Sequence, residues 1–365
     1  MARTKSALRG LAAGVAVGAV AYAVVDAVRP RPGAARIVDW DEIRDQAISR
    51  LDPDSLLDAR RRRTLETRYR KLAAELEPAL ISFVGASAGD LPPFQALDRA
   101  GWVDLNVGIM RDALEPLVAA QERMPNSRMV EMGRSVLDRY VGLILGFLSG
   151  RVLGQYDPRL LGHEPSGGPG LYLVEPNIAD FQQEAELPTD PLRRWLILHE
   201  MTHAWQFGAH PWLRDHLNGM LREVLGAAID ARLSSLGRLL ALTIGGGEQR
   251  SVVSRLQSTM SLVEGYSNLV MDVVGRELLP DFARLEAAHQ ARVDDKTVFE
   301  RLFWKVTGLE LKLQQYVVGE RFCKQVHERH GIAVLNRAWE RAENLPTADE
   351  LQHPDRWAAR MGTAL

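Results

Sequence analysis

The sequence predicts a mainly α protein with one small β element. Apolar residues recur at helical spacing through most of the chain, a strand signal stands out once, and no repeat or shift in composition divides the body. Of 365 residues, 46% are hydrophobic and 25% charged, which is ordinary for a globular protein. The 45 Lys+Arg against 47 Asp+Glu leave a net charge of −2. That balance excludes a strongly basic nucleic-acid binder and an acidic tail protein, so no nucleic-acid partner is expected. Cys323 stands alone, which excludes a disulfide framework and a cysteine-rich zinc ribbon. Any bound metal must therefore rest on carboxylates and on some of the nine histidines.

Length alone allows two domains. The even composition of the body favours one, giving a leader and linker over 1–33 and a single domain over 34–365. In the leader, Arg3, Lys5 and Arg9 precede the Ala/Val/Gly-rich run Leu11–Val28, whose eighteen residues sit near the lower limit for spanning a bilayer. Gly10, Gly14 and Gly18 form a small-residue face of the kind membrane helices pack with. Three readings stand: a membrane anchor through residues 10–28, a signal peptide cleaved near Ala21-Tyr22-Ala23, or a loosely ordered leader. Localisation stays open between membrane-associated and cytoplasmic, with secretion third. Arg29-Pro-Arg-Pro-Gly33 reads as an extended linker.

Helices follow in order. Ile43, Ala47, Ile48 and Leu51 form one stripe, Leu72, Leu76, Leu80 and Ile81 a second, and Leu105, Ile109, Leu114 and Leu117 a third. Met129–Leu153 reads as a long buried helix with a break near Gly146 or Gly150. The strand is Leu171-Tyr-Leu-Val174, between a Ser166-Gly-Gly-Pro-Gly170 turn and Pro176-Asn177. It is expected at a sheet edge, where it either pairs with an extended peptide or closes a small sheet. Helices resume at Pro191, with Thr189-Asp190 as N-cap, and Thr347-Ala-Asp-Glu350 is a capping box near the C-terminus. The basic run Arg60–Arg63 with Arg68, Arg70 and Lys71 reads as a solvated helix face balanced by Glu66, Glu75 and Glu77.

The segment that carries chemistry is His199-Glu200-Met-Thr-His203, an H-E-x-x-H pattern. On a helix the two histidines lie one turn apart on the same face, so both imidazoles reach one ion. Glu200 projects toward the position where a catalytic zinc keeps a water and can take that water's proton. The flanks Leu196-Ile-Leu198 and Met201, Thr202 and Ala204 are uncharged, which suits a buried site. A third ligand is required. The H-x-x-G-x-x-H register fails, because Gln206 and Ala209 occupy its glycine and histidine positions. Glu264, in an apolar stretch where a lone carboxylate needs a partner, is favoured over His210, Glu223 and Asp230. Asn268 and Asp272, on the same helix, are the expected outer hydrogen-bond partners of a ligand histidine.

Taken together these motifs resemble a family of actinobacterial zincin-like metallopeptidases, formerly a domain of unknown function and also labelled coenzyme F-420 biosynthesis-associated. The resemblance spans roughly Val38 to Arg360. It runs through Val38-Asp-Trp-Asp41, Asp98-Arg-Ala-Gly-Trp102 with Asn106, Gly154-Gln-Tyr-Asp157, the His199 motif, and Glu264-Gly265 with Met271-Asp272. It closes on Lys312, Gln315-Tyr316, Gly319 and Phe322, then Asn336, Trp339, Leu345-Pro-Thr347, Pro354 and Trp357. It implies a zincin-like, gluzincin-like fold, zinc (Zn²⁺) at His199, His203 and Glu264, and Glu200 as catalytic acid/base. Relatives tend to carry His and Asp where this chain has Tyr266 and Asn268.

A peptidase also needs a donor for the oxyanion of its tetrahedral intermediate, and Tyr266, Tyr316 and His327 are the candidates. Cys323, beside Phe322, reads as a core thiol. The expected function is a zinc-dependent metallopeptidase acting on a peptide or protein substrate. The alternatives are a zinc-stabilised scaffold without turnover, or a metal-dependent hydrolase of a non-peptide amide.

Overall fold

The Asp39 side chain accepts from the backbone N–H groups of Asp41 and Glu42 and so starts helix α1, Trp40–Ile48. The computed structural model describes residues 38–49, 51, 56–86, 89, 91–121, 128–161, 169–233, 247–294 and 309–362. The leader and linker over 1–33 lie outside the described residues. No described helix is long and apolar enough to cross a membrane.

After α1 come α2 (Ala59–Val84), β1 (Phe94–Leu97), α3 (Arg99–Gln121), α4 (Arg128–Ser149), β2 (Gly154–Asp157) and β3 (Gly170–Val174). Next are α5 (Glu175–Glu184), α6 (Thr189–Gly208), α7 (Pro211–Leu233) and α8 (Gly247–Val270). The last runs through a π turn, Met271–Gly275, into α9 (Arg276–Leu278). Then follow α10 (Phe282–Asp294), α11 (Leu309–His330), α12 (Ile332–Asn336), α13 (Ala348–Gln352) and α14 (Pro354–Gly362). The protein is mainly helical with one three-stranded sheet, as its sequence predicts.

The sheet corrects one expectation. Its order is β1-β3-β2, with β3 parallel to β1 and antiparallel to β2. Leu171–Val174 is therefore the central strand, and both of its edges are already hydrogen-bonded, so no peptide can pair there. Its two neighbours are four residues long and too short to show a period in the sequence.

Side-chain alternation makes the sheet a partition between two cores. Phe94, Ala96, Tyr156, Leu171 and Leu173 face the larger core with α2, α6 and α8. Val174 faces the smaller one with Ile43, Trp102, Ile144 and Leu145. On that side Trp102 Nε1 donates to Gln155 Oε1 at 2.7 Å, so the strand's polar residue is satisfied. The α3 face in the core is Trp102, Val103, Val107, Met110 and Leu114, one position away from the stripe expected at Leu105 and Ile109, which are half-buried.

Two local expectations also shift. Helix α4 runs unbroken through Gly146 and stops at Ser149, because Gly142 and Gly146 are where it touches α1. A Cβ on either would meet a backbone carbonyl, of Ile43 at 2.9 Å or of Ala47 at 2.8 Å. Helix α6 starts at Thr189 with Pro188 as its uncapped N-cap, while Asp190 pairs with Arg68. The Thr347–Glu350 capping box forms as expected. The basic face of α2 is likewise spent on acids: Arg62 pairs with Asp98.

Candidate active site

Helix α6 is buried on nearly every side from Leu196 to Phe207, so its polar His199, Glu200, His203 and Gln206 are carried into the core. Its first turns are pinned by a buried polar cluster. Arg193 grips Glu175 through two N–H···O bonds of 2.6 and 3.1 Å, and the Tyr69 hydroxyl donates to the same carboxylate. With α6 fixed, His199 and His203 present their Nε2 atoms 3.3 Å apart.

Glu264 enters from α8, its Oε1 3.6 Å from His203 Nε2. One ligand atom from each of His199, His203 and Glu264 lies within 4.8 Å of the others. The carboxylate can come this close because α8 and α11 cross at glycine. A Cβ on Gly265 would collide with the Gly319 backbone, and one on Gly319 with the Ser261 carbonyl.

The electrostatics match a cation-binding set. Burial holds both imidazoles neutral, with His203 lowered to about 4. His199 is pushed well below its usual range by burial, then by His203 and His289. Burial also raises Glu264 to about 8. Two neutral imidazoles and a buried carboxyl group are a donor set that zinc can take, and binding the ion would release the carboxyl proton. Glu200 is raised far above the carboxylate range by burial and by Glu264. The backbone of Tyr156, on β2, hydrogen-bonds this carboxyl, while its Oε2 is buried with no partner among the described residues. A Cβ at Gly154 would lie 2.7 Å from Glu200 Oε1, so β2 needs glycine there.

The other expected residues divide. His210 is wedged against Trp205 and Trp339, away from the cluster. Glu223 is exposed and 3.7 Å from Arg255, and the Asp230 side chain lies outside the described residues. The expected outer partners do not reach the histidines. Asn268 donates to Glu320 at 3.4 Å, and Asp272 binds Lys324 at 2.8 Å and Arg276. The partner of His203 is instead Gln206, whose Oε1 lies 2.9 Å from Nδ1 while its Nε2 donates to the Val263 carbonyl at 2.8 Å. That second bond fixes the amide's orientation, so Nδ1 carries the proton and Nε2 is left for a ligand. Gln206 sits three residues after His203, a helical neighbour that the sequence offered and the search for a glycine passed over.

Tyr266 is also placed elsewhere. It is fully buried, stacked on Trp205, and donates to Asn336 at 2.7 Å, so it holds the core together and does not face substrate. His327 packs edge-on against Phe83. The Tyr316 side chain lies outside the described residues. Cys323 is a buried free thiol, its pKa raised by burial.

The sequence matches the description of zincin-like metallopeptidases over residues 38–358. The chain belongs to that family. This zincin-like chain is also similar to a solved structure from Chloroflexus aurantiacus, described as a candidate hydrolase with a novel fold. The two are 36% identical, with 89% of this chain and 99% of the other covered and a TM-score of 0.66. No curated protein matches.

Proposed function

We propose that this zincin-like protein is a zinc-dependent peptidase, with His199, His203 and Glu264 as metal ligands and Glu200 as the general base. The observation that supports it most is the Glu200 carboxyl: one oxygen held by β2, the other buried beside the His–His–Glu cluster without a partner. Bound zinc supplies Lewis acidity there, polarising a carbonyl and acidifying a water.

The chain's own groups do the rest. Gln206 fixes the His203 tautomer. Burial keeps both imidazoles neutral, and on His203 the Gln206 acceptor draws the remaining proton to Nδ1 and leaves Nε2 open. Glu200, one residue after His199 on α6, is the group placed to take a proton from water and return it to the leaving amine. The cavity in front of it has an apolar wall of Leu153, Leu196, Met271 and Phe282.

Metal analysis and a peptide library test the reading together. The wild type should hold one zinc and cleave, Glu200→Gln should hold zinc without cleaving, and Glu264→Ala should lose zinc. Stoichiometric zinc in Glu264→Ala would remove that ligand. Zinc in both wild type and Glu200→Gln with no peptide cleaved by either would favour a scaffold, or a hydrolase of non-peptide amides.

A further inference from the structure

With Tyr266 and His327 outside the cavity, the described residues that could meet a substrate's carbonyl oxygen are those of the cavity wall itself. Apart from His199, four lining side chains among the described residues carry N–H groups: Trp195, Asn268, His289 and Lys324. Lys324 is clamped between Asp272 at 2.8 Å and Glu320 at 3.0 Å, and Asn268 is turned to Glu320. Both therefore belong to the charged rim contributed by α8, the π turn and α11.

Trp195 and His289 stand on the other side, next to His199. Trp195 precedes His199 by one turn of α6 and stacks on it, 6.3 Å between centroids and 10° between planes. His289 reaches the same place from α10, its ring 4.7 Å from that of Trp195. It is buried and lines the same cavity as His199. The indole N–H of Trp195 is buried with no hydrogen-bond partner among the described residues. Orphan donors of this kind are rare in folded proteins and call for a reason. A wall of two N–H-bearing rings beside a proposed metal ligand provides one.

We propose that Trp195 and His289 are catalytic residues that hold the substrate's carbonyl oxygen as it becomes an oxyanion. This rests on the hydrolase reading above. Water oxygen bonds to the carbonyl carbon and gives one proton to Glu200, and the C=O π pair moves onto oxygen, where the two N–H groups stabilise it. On collapse that pair re-forms the C=O bond, the C–N bond breaks, and the amine leaves with the proton from Glu200. The products are one carboxylic acid and one amine.

The test separates oxyanion binding from packing and from the metal. The probes are a panel of phosphinic pseudodipeptides with Ala, Phe, Lys and Glu side chains, whose tetrahedral P–O⁻ imitates the oxyanion. The control ligand is 2-mercaptoethanol, which can bind zinc through sulfur alone. Trp195→Phe keeps the ring and removes the N–H, His289→Leu removes the donor, and His289→Gln restores one. Losing one such donor costs about 10²–10³ in kcat elsewhere, so about tenfold or more in phosphinate affinity is expected from Trp195→Phe and His289→Leu. Zinc content and thiol affinity should stay within about twofold, and His289→Gln should recover most of the loss. Equal losses for phosphinate and thiol would mean a packing role and overturn the proposal, as would unchanged phosphinate binding in both variants. So would a wild type that holds zinc and thiol but no phosphinate. A wild type that takes up no zinc would instead sink the metal-centre reading on which the proposal stands.

Discussion

At the scale of single residues, the site depends on a tautomer. His203 offers Nε2 to a metal because Gln206 occupies Nδ1, and Gln206 can do so only because Val263 receives its amide N–H. Replacing Gln206 by Leu removes the acceptor on Nδ1 and the bond to the Val263 carbonyl. Zinc affinity should fall about 10–100-fold, as for other partners of metal-bound histidines, which a competition titration against a chelator measures. The His199, Glu200 and His203 trio was legible because i, i+4 spacing is a local property of a helix. Glu264 was legible as a buried acid with no local partner. Asn268 and Asp272 misled because their roles depend on which face of α8 opposes α6, and that is decided by packing with α11 rather than by their own neighbourhood. His289 carries no local signal, and only the docking of α10 on α6 brings it to the cavity.

Among elements, the α8–α11 crossing sets the height of Glu264 over the histidines. Gly319→Ala forces the two backbones apart. It should destabilise the fold by about 1–3 kcal/mol in urea unfolding, and it should weaken zinc binding because Glu264 moves with its helix. The glycines were visible in the sequence as part of a family pattern, but their reason was not, since a close approach is a relation between distant segments. The π turn is tied to α11 by Asp272 and Lys324. Burial pushes the Asp272 pKa up, but hydrogen bonds from Lys324 and Arg276 outweigh it and leave the carboxyl below its usual value. A depressed carboxylate stabilises the fold above the ordinary Asp range, and that contribution disappears as pH falls through the folded-state pKa. Asp272→Asn should therefore lower stability at neutral pH and flatten its loss as pH falls below the ordinary Asp range, read from melting curves at each pH.

For the molecule as a whole, the mainly helical class followed from periodicity alone, whereas the sheet was underestimated because two of its strands have only four residues. Ligands gathered from α6 and α8 make metal binding a global stabiliser. Zinc at a hundred times its dissociation constant should add about 2.7 kcal/mol, seen as a higher melting temperature that Glu264→Ala abolishes. The partition formed by the sheet gives this stabilisation a boundary. All three proposed ligands lie on the α2/α6/α8 side, while α1, α3 and α4 share a core of their own across the strands. Stripping the metal should accordingly speed amide exchange in α6 and α8 well before α4. On that expectation the smaller compartment would act as a thermal ballast, keeping β3 in register while the half that carries the proposed ligands loosens.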